Sequence, residues 1–240
     1  MGSQLACRFR IPCFLISLGF ASLACSQTDI FKPPSTSAPP VQGPSTAQAA
    51  CKPASTATEE ADILFNAQVA EHKQSGISIT VLYQNSTQLI EFVNPNRFHW
   101  RTESGGVWEE VIHIAGTTYV SSSTQGWVAV PVLDPTYAAL MQGFIDPPVK
   151  GSAAEMEALL TQAGYTDIKL EGRLVGFVPD FFGTCVYELT FKSGDTVIYS
   201  QKTWIGPNDG LRYKFEAKDE TRTVTEARLF DYDNITINAP

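Results

Sequence analysis

Histidines and neighbouring carboxylates are the side chains of this sequence that could hold a metal ion or carry out acid–base chemistry. The three histidines are His72, which falls in a helical pattern, and His99 and His113, which fall in strand patterns. The two strand histidines could be neighbours, but no further ligand stands at the spacing of a metal site. Glu109 and Glu110 are adjacent in a strand pattern and therefore point to opposite faces, unlike the paired acids of a glycosidase. Because the common catalytic and nucleotide-binding motifs do not occur either, the sequence predicts no catalytic residue, no metal and no cofactor.

Cys25 is the cysteine with the clearest chemical context. It follows two arginines, an apolar run over residues 11–20 and a stretch of small residues. About ten apolar residues are too few to span a bilayer, but they suit the central region of a signal peptide. Ala21–Cys25 resembles a bacterial lipobox, in which the cysteine is acylated and becomes the new N-terminus. The sequence therefore predicts a signal peptide over 1–24 and a lipidated Cys25, with an ordinary secretory signal as the alternative.

Both alternatives export the protein. Acyl chains on Cys25 would anchor it to a bacterial membrane, facing the periplasm or the cell exterior, because two or three such chains hold a protein far more firmly than one. The predicted location is therefore the cell envelope.

Cys51 and Cys185 are the other two cysteines of the mature chain. Export to an oxidising compartment allows a disulfide between them, since such bonds persist outside the cytoplasm. The bond would fix the segment before the domain to a strand. The alternative is an exposed thiol at Cys51 and a buried thiol at Cys185, and the sequence leaves both open.

Composition divides the 240 residues into a tether and one folded domain. Of the 33 residues from 26 to 58, 22 are Pro, Ser, Thr or Ala, and such a segment buries too little surface to offset its ordering entropy. We therefore predict a disordered tether over 25–58, which includes the lipidated cysteine, and one domain over 59–240. The net charge of −8 repels phosphate backbones, so nucleic acid is not an expected partner. We expect a monomer.

Hydrophobic periodicity predicts a sheet protein with few helices. Thr56 and Glu59 have capping-box spacing and begin a short helix that ends near Ser75. From Ile77 the period changes to two, and short runs separated by turn signals predict an antiparallel meander. After the strand that begins at Ile77, the predicted strands are Gln88–Val93, Arg97–Thr102, Val107–Ile114, Thr117–Ser121, Trp127–Val130, Lys169–Phe177, Thr184–Phe191, Thr196–Ile205, Leu211–Ala217, Arg222–Tyr232 and Ile235–Ile237.

A helical interruption separates two groups of strands. Asp134 is placed to cap a helix over Thr136–Phe144. Ser152 and Glu155 have the spacing of a second capping box, at the start of a helix over Ala153–Ala163. The pattern predicts an α+β fold with one large curved antiparallel sheet and helices laid against it.

Alternation along the strands predicts one apolar and one charged face. Phe98 and Trp100 alternate with basic residues along one strand, and Tyr213 and Phe215 alternate with charged residues, which include Arg212, along another. Two interpretations of the apolar face are open. The helices could cover it and complete an ordinary core, or they could leave an apolar cavity that fits an acyl chain.

Three stretches carry a resemblance to a known family: Phe92–Glu103, with an Asn-Pro turn before a basic and aromatic strand; Val111–Val120; and Lys202–Leu211 with the closing segment Phe230–Pro240. In these stretches the chain resembles the LolA/LolB/LppX superfamily of lipoprotein carriers, and the resemblance spans the predicted domain in order. It implies a half-open β-barrel of about eleven strands, whose concave apolar face is lidded by helices. It also implies binding of lipid or lipidated cargo.

Three hypotheses about function follow. The first is a lipid-anchored protein that binds or carries lipid, or another hydrophobic ligand, in an apolar cavity. The second is an envelope sensor that binds a protein partner, as in the RseB-like branch of the superfamily. The third is a hydrolase, which would need a polar cluster inside the cleft that the sequence does not show. Under the first hypothesis, the predicted pocket wall consists of Ile79, Val81, Phe92, Phe98, Trp100, Tyr213 and Phe215 from the sheet, with Phe144 and Leu159 from the lid.

Overall fold

The computed structural model describes residues 51–240 except 152 and 222, and it leaves out the side chains of 153 and 156. The predicted signal peptide, the lipidated Cys25 and the tether as far as residue 50 lie outside the described residues, as does Ser152 of the second capping box. In the part of the chain that is described, no helix has the length and apolar character needed to cross a membrane.

The first helix, α1 (Ala57–His72), begins as predicted. Thr56 and Glu59 form a complete capping box, since the Glu59 amide donates to Thr56 Oγ1 at 3.2 Å and the Thr56 amide donates to Glu59 Oε2 at 3.1 Å. These two bonds satisfy amides that the first helical turn leaves without intrahelical partners.

Two further helices, α2 (Pro135–Ile145) and α3 (Ala153–Gln162), follow the sixth strand. The Asp134 side chain accepts a hydrogen bond from the Thr136 amide at 2.8 Å and so caps α2 as predicted. After α3, Gly164 has a φ of +97°, the left-handed conformation that commonly ends a helix.

Eleven strands form one antiparallel sheet in the order β6-β5-β4-β3-β2-β1-β11-β10-β9-β8-β7. Because β6 and β7 lie at opposite edges, the sheet is not closed, and the predicted α+β half-barrel is confirmed. The connection from β6 to β7 carries α2 and α3. The strands are β1 (Gly76–Tyr83), β2 (Ser86–Val93), β3 (Arg97–Ser104), β4 (Val107–Ile114), β5 (Thr117–Ser122), β6 (Gln125–Val130), β7 (Ile168–Val178), β8 (Thr184–Ser193), β9 (Thr196–Ile205), β10 (Arg212–Asp219) and β11 (Val224–Asp231).

The described helices pack against the same, apolar face of the sheet. On α1, Ile63, Leu64 and Ala67 contact a cluster that contains Tyr187 and Ile205. The side chains of α2 contact clusters on β1 to β4, and Leu160 of α3 contacts a cluster on β8. Apolar residues from most of the strands thus form buried clusters beneath the helices.

One predicted strand is wrong. Residues 232–240, all of them described, contain no strand, although Ile235–Ile237 was predicted to form one. The neighbouring strand β1 already pairs with β2 and β11, so it offers no free edge. Ile237 is instead buried as an irregular segment, and its carbonyl accepts a long hydrogen bond of 3.5 Å from Arg97 Nη1.

Arg212 also departs from prediction, because alternation placed it on the charged face. A register shift between Arg212 and Lys214 turns this side chain toward the helices. Its Nε and Nη2 donate to the two carboxylate oxygens of Glu71 on α1 at 2.5 and 2.6 Å, and its guanidinium lies 4.8 Å from the centre of the Phe230 ring. The shift therefore creates a partly buried ion pair between α1 and the sheet.

Residues 51–58, which were predicted to belong to the tether, contact the sheet. Cys51 and Cys185 are joined in a disulfide. The Tyr187 hydroxyl donates to the Lys52 carbonyl at 3.0 Å, and the Leu174 amide donates to the Ala54 carbonyl at 2.8 Å. The chain is thus attached to β7 and β8 before α1 begins.

Candidate functional site

Six of the predicted pocket residues form one apolar surface under the helices, which we call the apolar wall. Each is at most 8% exposed, and Phe98 is fully buried. Backbone register places them side by side, since Ile79 pairs with Ile90, Ile90 pairs with Trp100, and Phe92 pairs with Phe98. The apolar wall consists of Ile79, Val81, Phe92, Phe98, Trp100 and Phe215.

Helix α2 covers the apolar wall with three side chains. The Phe144 ring stacks on Phe92 at 5.4 Å between centroids, and the Tyr137 ring lies 4.9 Å from that of Trp100. Met141 packs against the clusters that contain Phe92 and Trp100. The helix has no charged residue between its ends, and none of its own residues is buried. It is therefore an apolar cover with little burial of its own.

Leu159 and Tyr213 lie away from these contacts. On α3 it is Leu160 that packs against buried residues of the sheet. Tyr213 stacks on Phe182 at 4.8 Å, and its hydroxyl donates to Asp209 at 2.6 Å. Burial is the main cause that raises the pKa of Tyr213, and the hydrogen bond to Asp209 is the second. Of the nine predicted pocket residues, these two are not part of the surface around α2.

A line of polar residues borders the apolar wall on the same face, and we call it the polar row. Backbone pairing runs from Gln201 to Ala217, from Ala217 to Glu226 and from Glu226 to Tyr83. Gln201 is 2% exposed and Glu226 is 3% exposed. The polar row consists of Tyr83, Gln201 and Glu226.

Arg228 links the polar row to the apolar wall. Its Nε donates to Glu226 Oε1, and its guanidinium lies 5.5 Å from the centre of the Phe215 ring. Burial and the charge of Glu226 raise the pKa of Tyr83 and of Tyr199, which lies nearby. Alternation did not predict these buried polar side chains on the apolar face. The missed signal is the parity of β11, where Glu226 and Arg228 alternate in step with the apolar Phe230.

Glu60 of α1 is a second buried acid on this side of the sheet. It is fully buried, and neither carboxylate oxygen has a hydrogen-bond partner among the described residues. Burial raises its pKa to about 8, because the charged form is poorly solvated in an apolar setting. Gln201 Oε1 likewise has no partner in the described part of the chain. At neutral pH the Glu60 side chain is therefore mainly a neutral acid.

The opposite face carries a charged cluster around His99. Its Nδ1 lies 2.7 Å from Glu91 Oε2 and its Nε2 lies 2.8 Å from Glu110 Oε1. Arg101 Nη1 lies 3.2 Å from the other oxygen of Glu110. Burial disfavours the imidazolium, but the two carboxylates outweigh burial, and the pKa of His99 is raised. The two carboxylates thus favour the protonated form of the ring.

His99 and His113 do not meet, although the sequence allowed them to be neighbours. His113 pairs with Phe98 and therefore shares the helix-covered face, where its Nδ1 lies 2.9 Å from Thr118 Oγ1. His99 lies on the other face. Among the described residues, no group of three or more histidines, cysteines or acids is arranged to hold a metal ion.

A surface cleft of about 500 Å³ lies beside α1 and α3 and is lined in part by Asp62, Lys150 and Glu157. Lys150 Nζ contacts Asp62 Oδ1 there. The cleft is open and carries charged side chains, so it is not the apolar cavity of the first hypothesis.

No protein-family model matches the chain, and no curated protein matches its sequence. Its fold is similar to solved structures. LprF from Mycobacterium bovis is 12% identical, with 78% of this chain and 99% of that chain covered and a TM-score of 0.44. The lipoprotein LppX from Mycobacterium tuberculosis is 11% identical, with 73% and 97% covered and a TM-score of 0.39.

MucB of Pseudomonas aeruginosa, solved in a complex with MucA, is a third similar structure. It is 18% identical, with 72% of this chain covered and a TM-score of 0.37. The match spans 55% of the length of that chain. At such identities the likeness concerns the fold alone.

Proposed function

We propose that this chain is a lipid-anchored protein of the cell envelope that binds the apolar chain of a lipid, or of a similar hydrophobic ligand, between the apolar wall and α2. The observation that carries the proposal is the nature of α2. It is an uncharged, apolar helix that covers buried aromatic rings while burying none of its own residues. An element with so little buried surface is weakly held, and lids that move are drawn from such elements.

Displacement of α2 would expose a surface suited to an acyl chain. The apolar wall contributes aromatic and branched side chains, and a methylene chain gains about 0.8 kcal/mol for each CH₂ that it buries. The side chains of Phe144, Met141 and Tyr137 now occupy the volume that the ligand would take. The polar row bounds this surface, so the polar end of an amphiphile would meet Glu226 and Gln201 rather than carbon.

Native mass spectrometry is the direct test of ligand binding. Residues 26–240 would be exported behind an ordinary secretory signal and purified without detergent. We expect an added mass that organic extraction removes, and displacement of a fluorescent fatty-acid probe by the extracted material. A clean mass together with no binding of the probe would contradict the proposal.

Two variants locate the site. Trp100→Asp places a carboxylate in the apolar wall, and Phe144→Asp places one in its cover. Both should abolish probe binding, because a buried charge is strongly disfavoured. Phe144 is only partly buried, so its variant preserves the test if Trp100→Asp does not fold. Leu229→Asp is the matched control, since Leu229 is 38% exposed and lies on the opposite face. Equal binding by all three variants would place the ligand elsewhere.

Attachment to the membrane is tested separately. We expect the chain to incorporate an alkynyl palmitate analogue and to fractionate with membranes, and we expect Cys25→Ser to lose the label. Unlabelled wild-type protein in the culture medium would favour the secretory alternative.

One observation favours a protein-binding function as a second candidate. Strand β6 is an edge strand with Trp127 and Val128 each 40% exposed, and an edge strand can pair with a strand of another chain. Under this alternative, Val128→Lys weakens capture of an envelope partner while probe binding stays absent in every variant. If Val128→Lys still binds the fatty-acid probe and Phe144→Asp does not, the result supports the lipid-binding function.

A further inference from the structure

Phe182 is an aromatic side chain held in the solvent at one end of the sheet. It lies in the loop between β7 and β8 and is 68% exposed. Its ring stacks on Tyr213 at 4.8 Å and meets Phe181 edge-on at 5.1 Å. Three aromatic rings therefore form a small apolar projection beyond the ends of β7, β8 and β10, and we call it the aromatic tip.

The loop that carries the aromatic tip is well braced. The Gly183 amide donates to the Pro179 carbonyl at 3.3 Å, and the Thr184 side chain donates to the Phe181 carbonyl at 2.9 Å. Phe182 has a φ of +51°, a conformation that is uncommon for a bulky residue and needs support from its surroundings. The hydrogen-bonded turn thus holds the Phe182 ring in its exposed position.

The chain reaches the domain at this same end of the sheet. Cys51 is bonded to Cys185, which lies three residues after Phe182 and one residue inside β8. The carbonyls of Lys52 and Ala54 then accept hydrogen bonds from β8 and β7. The point of entry cannot move along the sheet, because a covalent bond fixes it there.

We propose that the end of the sheet that carries the Cys51–Cys185 disulfide faces the lipid bilayer, and that the aromatic tip enters its interface. This inference rests on the proposed acyl anchor at Cys25. A flexible coil of 25 residues, the number that separates Cys25 from Cys51, has an r.m.s. span of about 27 Å. That span holds the disulfide end close to the membrane and gives the aromatic tip a high effective concentration there.

The chemistry of the tip indicates a neutral lipid interface. Aromatic side chains favour the boundary between headgroups and acyl chains. The charged neighbours of the tip include Asp180 in the same loop and Asp209, which accepts the Tyr213 hydroxyl. Such acids do not attract anionic headgroups. Insertion should therefore occur in zwitterionic vesicles and should not strengthen when anionic lipid is added.

An environment-sensitive fluorophore tests the inference in the acylated full chain. Phe182→Cys introduces a thiol for labelling, since Cys51 and Cys185 are disulfide-bonded and Cys25 carries the anchor. Val107→Cys is the matched control, because Val107 is 61% exposed and lies at the opposite end of the sheet, in the β3–β4 turn region. Both proteins would be reconstituted into phosphatidylcholine vesicles and separated by flotation.

We expect both proteins to float, and we expect only the label at Phe182 to shift to the blue and to be quenched by brominated acyl chains. Flotation with both labels in a water-like environment overturns the inference and leaves the anchor intact. Failure to float overturns the anchor and the inference together. Quenching of both labels to the same extent also overturns the inference, because no one end of the sheet would then face the bilayer. Fatty-acid probe binding is measured on the same samples. The test of the ligand site therefore has its own readout, which does not depend on whether the aromatic tip enters the bilayer.

Discussion

Glu60 and His99 show how the sheet changes the ionisation of single side chains. Glu60 is buried on the helix-covered face without a hydrogen-bond partner among the described residues, whereas His99 is held between two carboxylates on the opposite face. Both have a raised pKa, for different reasons. In each case the folded chain retains a proton that the unfolded chain releases, so both groups make the protein more stable on the acid side of neutrality.

Glu60→Gln is expected to remove a pH-dependent loss of stability. The Glu60 carboxyl titrates near its model value of 4.5 when unfolded and near 8 when folded, so stability falls as pH rises between these values and is level above them. The difference corresponds to at most about 5 kcal/mol. Urea unfolding at several pH values should show that the free energy of unfolding of Glu60→Gln increases relative to that of the wild type as pH rises. Glu157→Gln, an exposed position on α3, is the control. Parallel pH profiles of wild type and Glu60→Gln would contradict the assignment.

His99→Gln is expected to lower stability most in acid. The imidazolium stabilises the fold fully below the unfolded pKa of 6.5, and this stabilisation is lost as pH rises through the higher folded pKa. Loss of a charge-assisted hydrogen bond costs about 1.5–3 kcal/mol. An NMR titration of the His99 ring measures the pKa directly, and a value at or below 6.5 would show that the carboxylates do not hold the cation.

Among the elements, α1 depends on one glycine of the sheet. A Cβ placed on Gly172 of β7 would lie 2.4 Å from the Thr56 carbonyl oxygen and 2.8 Å from the Glu60 Cβ. The start of the helix thus rests directly on the backbone of the strand. This close approach also explains why the Glu60 side chain is shut away from water.

Gly172→Ala should therefore push α1 from the sheet. Overpacking of this kind costs about 1–3 kcal/mol. Gly176→Ala in the same strand is the matched control, since a Cβ at Gly176 would meet nothing within 4 Å. Chemical denaturation of both variants measures the difference. Equal stability of the two variants would mean that α1 moves aside without loss.

Helices and strands with a regular hydrophobic period were predictable from the sequence. Local interruptions of that period, such as a β-bulge, were not. The capping box at Thr56 and the cap at Asp134 use short-range hydrogen bonds, so spacing alone located α1 and α2. The bulge that turns Arg212 inward depends on its partner strand β9, and alternation cannot foresee it. Of the candidate site, the apolar wall followed from alternation. Glu226 was missed because the strand predicted over Arg222–Tyr232 has no simple alternation of apolar and polar residues.

For the whole molecule, the disulfide links the segment before α1 to the start of β8. Cys51 and Cys185 are 134 residues apart in sequence. A cross-link across such a loop restricts the unfolded chain, and the chain-entropy model gives about 5 kcal/mol of stabilisation.

The variant Cys51→Ala with Cys185→Ala should lose a large part of this stabilisation, about 2–5 kcal/mol. Thermal and urea unfolding of the exported protein measure the loss, and reduction of the wild type by dithiothreitol should reproduce it. Addition of dithiothreitol to the double variant is the control and should change nothing. A wild type that is as stable when reduced would show that the bond contributes no constraint.

The pairing of β1 with β11 ties the first strand of the domain to the last. If the chain crosses a membrane from its N-terminus, β1 to β6 emerge first and can pair with one another. One edge of β1 then stays unpaired until β11, the last strand, has emerged. During that interval β1 is an open edge, able to pair with a strand from another chain. The β1–β11 pairing near the middle of the sheet is thus the last to form. A chain that ends before Val224 would lack β11, and the meanders β1–β6 and β7–β10 would not be joined. The edges of β1 and β10 that β11 covers in the complete protein would then be exposed.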